Sequence, residues 1–488
     1  MKERRWLRIA KNARQIYFPV DRVDALKKVW ALAGVMLAVM LFLTWLFQFR
    51  TQTIIVIGVM ALLEAPVLNA MYRKKESYQK RFHSLTGYME QMLYNFRTHK
   101  KVLVALEQTL EVTPKGHMHE MIAQMRRELL YGDSKGTREV LEILEHCYPG
   151  RRLSRMHEFF CKVESLGGEC ELYIDLLLED LRLYEQREKL HETAMKSRMV
   201  NVFFSVIISI VICLFVEKII PDDTAMVSHL LYQISGIGMF VLDLICLLLA
   251  AKMMMSDPLS KEVVSEREAK VLYDRVSGYS YRKEWKRQKK ALVIVAAFIA
   301  AGIYSQSILL PGAAIAFFLV LLIKPKLSNR LRKKKLLSII QSEYSIWLME
   351  VGMLLQETTV QEAIRRSQAN ASVVLKPHIN RLVQELADNP VSHLPYQNFM
   401  KEYQLSQVAS SMKMLCAISG GGGNDVKEQV QALIHLNIMA LDTLEQTKNE
   451  NRQGGMYALF LLPQIAVGVK LIPDMLLFLL LFLRTTQF

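Results

Sequence analysis

Six apolar stretches constrain this chain more than any motif it carries: Val29 to Phe49, Thr53 to Tyr72, Met199 to Val216, His229 to Ala251, Ala291 to Ile323 and Met456 to Leu483. A helix needs roughly 20 such residues to cross a hydrocarbon layer, so each of the first four is long enough for one crossing. The last two are too long for one crossing and contain turn-forming residues. Tyr304-Ser305-Gln306-Ser307 and Pro311-Gly312 interrupt the fifth, and Lys470 and Pro473-Asp474 interrupt the sixth. Both are expected to fold back as hairpins, for a total of about eight spans.

The net charge of +15 would suggest nucleic acid in a soluble protein, but its location argues against that partner. Arg4, Arg5, Arg8, Lys11 and Arg14 precede the first span, and Arg73, Lys74, Lys75, Lys80 and Arg81 follow the second. A third group, Lys324, Lys326, Arg330, Arg332, Lys333, Lys334 and Lys335, follows the fifth run. The opposite loops hold only Arg50, Lys218 with Asp222 and Asp223, and Lys470 with Asp474. Positive residues mark the cytoplasmic side, so both termini and all large segments are expected there, in a bacterial inner membrane. The basic groups read as topology signals that also hold anionic lipid, and the basic, then apolar, amino end reads as a retained anchor. Cys147, Cys161, Cys170, Cys213, Cys246 and Cys416 show no C-x-x-C spacing, and none is expected to form a disulfide.

The expected class is all-α, a polytopic membrane protein with two cytoplasmic helical bundles. Residues 1–28 form a basic amino end, 29–72 a membrane hairpin and 73–198 the first bundle. A second hairpin over 199–251 is followed by a charged linker over 252–290. A third hairpin over 291–323, a second bundle over 324–455 and a last hairpin and tail over 456–488 complete the chain. In the first bundle Tyr173, Leu177, Leu181 and Tyr184 recur at helical spacing, and no alternating strand pattern competes. Breaks at Thr113-Pro114, Tyr131-Gly132-Asp133, Tyr148-Pro149-Gly150 and Gly167-Gly168 divide it into about six helices, the last running into the third span. Lys376-Pro377, Asn389-Pro390, Leu394-Pro395 and Gly420-Gly421-Gly422-Gly423 divide the second bundle in the same way. Gly168 lies 31 residues before Met199, and Gly423 lies 33 before Met456. The two halves therefore read as a tandem duplication or fusion.

A membrane hairpin, a helical domain with paired glycines before its last helix, and a closing hairpin resemble the type II secretion F-domain family. Within it, the similarity is to platform proteins of tight-adherence, Flp-type type IV pili. Tyr94 to Leu106 (YNFRTHKKVLVAL) and Phe159 to Leu172 (FFCKVESLGGECEL) carry the resemblance in the first half. Trp347 to Ile364 (WLMEVGMLLQETTVQEAI) and Met412 to Val426 (MKMLCAISGGGGNDV) carry it in the second. Gly352 stands in the opening turn of the second half, where the first half has Arg97-Thr98-His99. Family members of this type usually carry one such domain per chain, whereas this chain holds two. The resemblance implies a platform on which a cytoplasmic hexameric secretion or pilus ATPase docks, and which lifts pilins or pseudopilins from the lipid bilayer. Self-association into a homo-oligomer is compatible with that layout.

Few residues offer chemistry. Gly420 to Gly423 lack the Lys-Ser or Lys-Thr of a phosphate-binding loop, so they and Gly167-Gly168 read as interhelical turns. His117, His119 and Glu120 have no second ligand cluster, so neither a metal nor another cofactor is expected, and they read as a solvated helix start. Glu64 and Asp243 are carboxylates inside apolar spans, an expensive placement that marks either packed helices or a pathway. In the pilus reading they could meet the charged amino end of a pilin membrane helix. No Ser-His-Asp order, Cys-His pair or H-E-x-x-H pattern can be read, so an enzyme is not expected. The rival is a secondary transporter, favoured by internal duplication and intramembrane acids but opposed by the large polar domains.

Overall fold

The computed structural model describes residues 22–132, 136–167, 171–219, 227–255, 266–282, 284, 309–355, 358–421 and 425–485, and among these it is all-helical. The chain divides into two units, residues 1–263 with 446–488, and residues 264–445.

The first unit is organised by two helices of 49 residues, α2 (Thr51–His99) and α7 (Glu171–Ile219). Each is about 73 Å long, so an apolar half that spans a membrane leaves an equally long polar half outside it. The short helix α1 (Arg22–Leu46) precedes α2, and α8 (Leu230–Met254) follows α7. Four helices close the bundle between α2 and α7: α3 (Val102–Val112), α4 (His117–Tyr131), α5 (Thr137–Cys147) and α6 (Arg151–Leu166). Helices α2 to α7 are six in number, and α7 continues without a break into the third apolar run. Lys100 ends α2 in the left-handed region at φ +52°, and Gly167 ends α6 at φ +80°, a conformation that glycine adopts without strain.

Tyr173, Leu177, Leu181 and Tyr184, the residues at helical spacing, are all buried. Tyr173 packs on Phe159 with ring centroids 4.6 Å apart, and Phe96 packs on Phe160 at 4.2 Å. Burying each such ring contributes roughly 1.5–3 kcal/mol. A polar chain threads this core. The Tyr88 hydroxyl lies 3.1 Å from His157 Nε2, His157 Nδ1 lies 2.9 Å from Glu145, and Arg138 donates to both Glu145 oxygens at 2.6 and 3.1 Å.

Burial alone would raise the Glu145 carboxyl, but hydrogen bonds from His157 and Arg138 hold it at about 2, against an ordinary 4.5. Burial keeps the His157 imidazole below its ordinary 6.5. Both groups then bind protons more readily in the unfolded chain, so their contributions carry the same sign. The histidine contribution is complete above 6.5 and declines below it; the glutamate contribution is lost from 4.5 down toward 2. Melting of the detergent-solubilised protein should therefore move to lower temperature as pH falls below about 6.5. His157→Gln should lower stability at neutral pH and flatten that first decline.

The second unit contains α9 (Glu266–Ser277), α10 (Leu309–Leu354), α11 (Val360–Ser367), α12 (Lys376–Asp388), α13 (Leu394–Asn398), α14 (Ser406–Gly420) and the start of α15 (Asp425–Leu459). Within the segment expected to be a charged linker, Glu266–Ser277 form α9. Helix α9 packs on α10, and Arg332 pairs with Glu284 at 2.9 Å. Tyr344, Trp347 and Phe399 form the aromatic core, and Trp347 Nε1 donates to Ser367 at 2.8 Å. A Cβ at Gly352 would lie 2.7 Å from the Ile434 side chain, so this glycine sets how closely α10 and α15 approach. Arg97, at the corresponding place in the first unit, instead donates to Asp175 of α7 at 2.7 Å.

Among the described residues, five helices are long and apolar enough to cross a membrane, consistent with a membrane protein. The turn Tyr304 to Ser307 lies outside the described residues, while Pro311-Gly312 sits in the first turn of α10, where a missing N–H breaks no helical bond. The last run departs from expectation. It does not fold back at Lys470 and Pro473-Asp474; both lie inside one helix, α16 (Leu461–Thr485), which packs on α7 and α8. Lys470 and Asp474 are one helical turn apart and neutralise each other at 2.7 Å, so the helix needs no polar turn to expose them. A proline inside an apolar helix is tolerated when neighbouring groups take up the backbone it frees.

The actual break in the run comes earlier, at Phe460, and Pro463 explains it. Proline has no N–H and its ring displaces the carbonyl four residues back, which is that of Leu459. The Cys246 thiol donates to this carbonyl at 3.3 Å, and the Ser205 hydroxyl donates to the Phe460 carbonyl at 3.1 Å.

Candidate functional site

The site is a polar cluster enclosed by apolar helices of the first unit. It begins with the short turn between α1 and α2, Phe47-Gln48-Phe49-Arg50. Gln48 adopts φ +50°, and the turn directs both phenylalanines inward, where they stack at 5.5 Å and are almost fully buried. Gly236 of α8 makes this possible, because a Cβ there would lie 2.3 Å from the Phe49 ring. Gln233 Oε1 then accepts from the Thr53 hydroxyl at 2.7 Å and from the Arg50 N–H at 3.1 Å, which satisfies the backbone at the start of α2.

Lys470 enters this box from α16. Its ammonium lies 2.7 Å from Asp474, 3.3 Å from the centroid of the Tyr232 ring, and within 6 Å of the Phe47 and Phe49 rings. Asp474 also accepts from the Ser235 hydroxyl at 3.1 Å. The Tyr232 hydroxyl donates its one proton to the Glu217 carboxylate and lies 2.9 Å from the Phe47 carbonyl. Lys470 is 1% exposed and Asp474 4%. A lysine so enclosed is stabilised by the carboxylate and by the negative faces of the rings, in place of the water it has lost. The cluster can hold one positive charge between acids contributed by α7 and α16, fixing the register of both helices on α8.

The carboxylates expected to matter are buried but separate. Asp243 of α8 accepts from Ser209 of α7 at 3.5 Å. Glu64 of α2 is buried and makes no hydrogen bond among the described residues. No hydrogen bond or ion pair joins Glu64 to Asp243, or either to Lys470. Lys470 and Asp474, read from sequence as part of an outer turn, are the charged residues at the centre of the cluster. The legible signal was their four-residue spacing, which lets an acid and a base pair on one helix face.

Of the remaining candidates, Gly420 ends α14 and Gly421 follows it, while Gly168, Gly422 and Gly423 lie outside the described residues. His119 meets the Thr113 carbonyl at 3.0 Å and His117 the Tyr148 hydroxyl at 3.4 Å, both at the start of α4.

No family model matches this chain, and searches among curated proteins and among solved structures likewise found no match.

Proposed function

We propose that this chain is an inner-membrane platform protein of a tight-adherence type IV pilus or a related secretion assembly, coupling a cytoplasmic ATPase to the extraction of pilins or pseudopilins. The observation that carries the reading is the continuity of α2 and α7, each passing without a break from a polar bundle into the apolar layer. A load applied to the bundle by an ATPase reaches the membrane helices through two rigid rods, with no loop to absorb it. The polar cluster fits the same task, since it pins α7, α8 and α16 together at their apolar ends. The order α10 to α15 repeats that of α2 to α7, which supports two fused copies of one bundle design facing the cytoplasm. With α16 crossing once, the proposed span count becomes seven, and the carboxyl end falls opposite the bundles.

A secondary transporter is the second reading, and the buried Lys470–Asp474 pair is what favours it. The two readings separate in one experiment. The full chain, purified in detergent, is passed over an immobilised hexameric secretion or pilus ATPase from the same organism. Retention that is lost when the surface of the α3–α6 bundle is charge-reversed is the expected result. Recovery at background level, with either nucleotide state of the ATPase, would remove the platform reading.

A further inference from the structure

A second feature of the first unit lies outside the cluster. Between α2 and α7, where both leave the apolar layer, is a cleft of about 270 Å³, close to the roughly 300 Å³ lower bound of small-molecule sites. Its lining includes Lys75, Lys189, Glu192, Met195 and Met254. Three helices set its height independently. Lys75 is three residues beyond the apolar run of α2, Met195 four before that of α7, and Met254 three beyond that of α8. At 1.5 Å per residue all three lie about 4–6 Å past the hydrocarbon edge, within the headgroup layer.

The cleft is ordered along its depth. The two methionines, flexible and apolar, form its floor on the membrane side. Lys75 stands at the same level, and Glu192 lies about 10 Å past the edge, seven residues before the apolar run of α7. Lys75 and Glu192 face each other across the cleft, and burial lowers the hold of the Lys75 amine on its proton. Glu192 also pairs with Lys196 at 2.7 Å and accepts from Gln79, which together occupy two of the roughly four lone-pair sites of a carboxylate. A cation near the membrane with an acid above it matches a headgroup whose phosphate is nearest the acyl chains and whose ammonium lies beyond.

We infer that this cleft binds the headgroup of a zwitterionic aminophospholipid, with Lys75 on the phosphate, Glu192 on the ammonium, and Met195 and Met254 against the glycerol and first acyl carbons. The inference needs the apolar helices to lie in a bilayer, but it does not depend on the pilus reading. A protein that fails to bind the ATPase can still bind the lipid.

The test uses the full chain, extracted in mild detergent and exchanged into nanodiscs of phosphatidylcholine doped with either phosphatidylethanolamine or phosphatidylglycerol at equal fractions. Lipid retained by the protein is counted by native mass spectrometry. Enrichment of phosphatidylethanolamine over its bulk fraction is expected. Lys75→Gln should reduce retention of both doped lipids about tenfold, whereas Glu192→Gln should abolish only the preference for the amine headgroup. Met254→Trp, which fills the floor without touching a charge, should also release the lipid, and it covers the case in which a charge variant misfolds. Retention equal to the bulk composition would overturn the proposal, as would a preference for phosphatidylglycerol. Equal competition by soluble phosphoethanolamine or inorganic phosphate would assign the cleft to a free anion instead of a lipid.

Discussion

Asp474→Ala should destabilise the protein by about 3–5 kcal/mol, because it leaves the Lys470 ammonium buried, desolvated and without its carboxylate. The Tyr232, Phe47 and Phe49 rings recover only part of that loss, at about 2 kcal/mol for a desolvated cation over an aromatic face. The paired change Lys470→Met with Asp474→Asn removes both charges, nearly keeps the volume and leaves an acceptor for Ser235, and it should cost far less than the single change. Melting of the detergent-solubilised protein, followed by helical signal, measures all three species. If the single and the double variant melt together, the pair is not what holds α16 in place.

In the first bundle the corresponding weak point is Asp180 of α7. Both its oxygens accept from Arg152 of α6, at 2.9 and 3.2 Å, and the Arg152 guanidinium lies over the Tyr184 ring at 4.2 Å. Burial would raise the Asp180 carboxyl, but the Arg152 charge and its hydrogen bonds hold it below the ordinary carboxylate value. Asp180→Ala leaves a buried guanidinium facing a cavity and should cost about 3–5 kcal/mol. Asp180→Asn keeps one acceptor and should cost roughly half as much, by the difference between charged and neutral hydrogen bonds. The loss is localised between α6 and α7, so hydrogen exchange should accelerate there before the membrane helices respond. Uniform acceleration along the chain would contradict this placement.

Both predictions depend on residues whose roles were legible to different degrees. Helical periodicity alone placed Tyr173, Leu177, Leu181 and Tyr184 in a core, because a helix can hide one stripe only if its spacing is near 3.6. The paired polar and apolar halves of α2 and α7 were equally visible, since water and hydrocarbon each select composition over a whole segment. Arg152 and Asp180 were unremarkable in sequence, for a charged residue on a helix reads as solvated until a partner from another helix is known. The Tyr88–His157–Glu145–Arg138 chain was hidden for the same reason: its members come from three helices.

The last run shows the limit most clearly. Lys470, Pro473 and Asp474 have the composition of a turn, and a one-dimensional reading assigns a turn because a lone lysine in hydrocarbon is too costly. The packed helices reverse that judgement by supplying a carboxylate one turn away, three aromatic faces and a serine hydroxyl. By itself, then, the sequence determined that the chain is helical and that it carries several long apolar segments. The tertiary structure alone decided which charges are buried together and where the last run breaks, because the energy of a buried charge depends on neighbours that are distant in the chain.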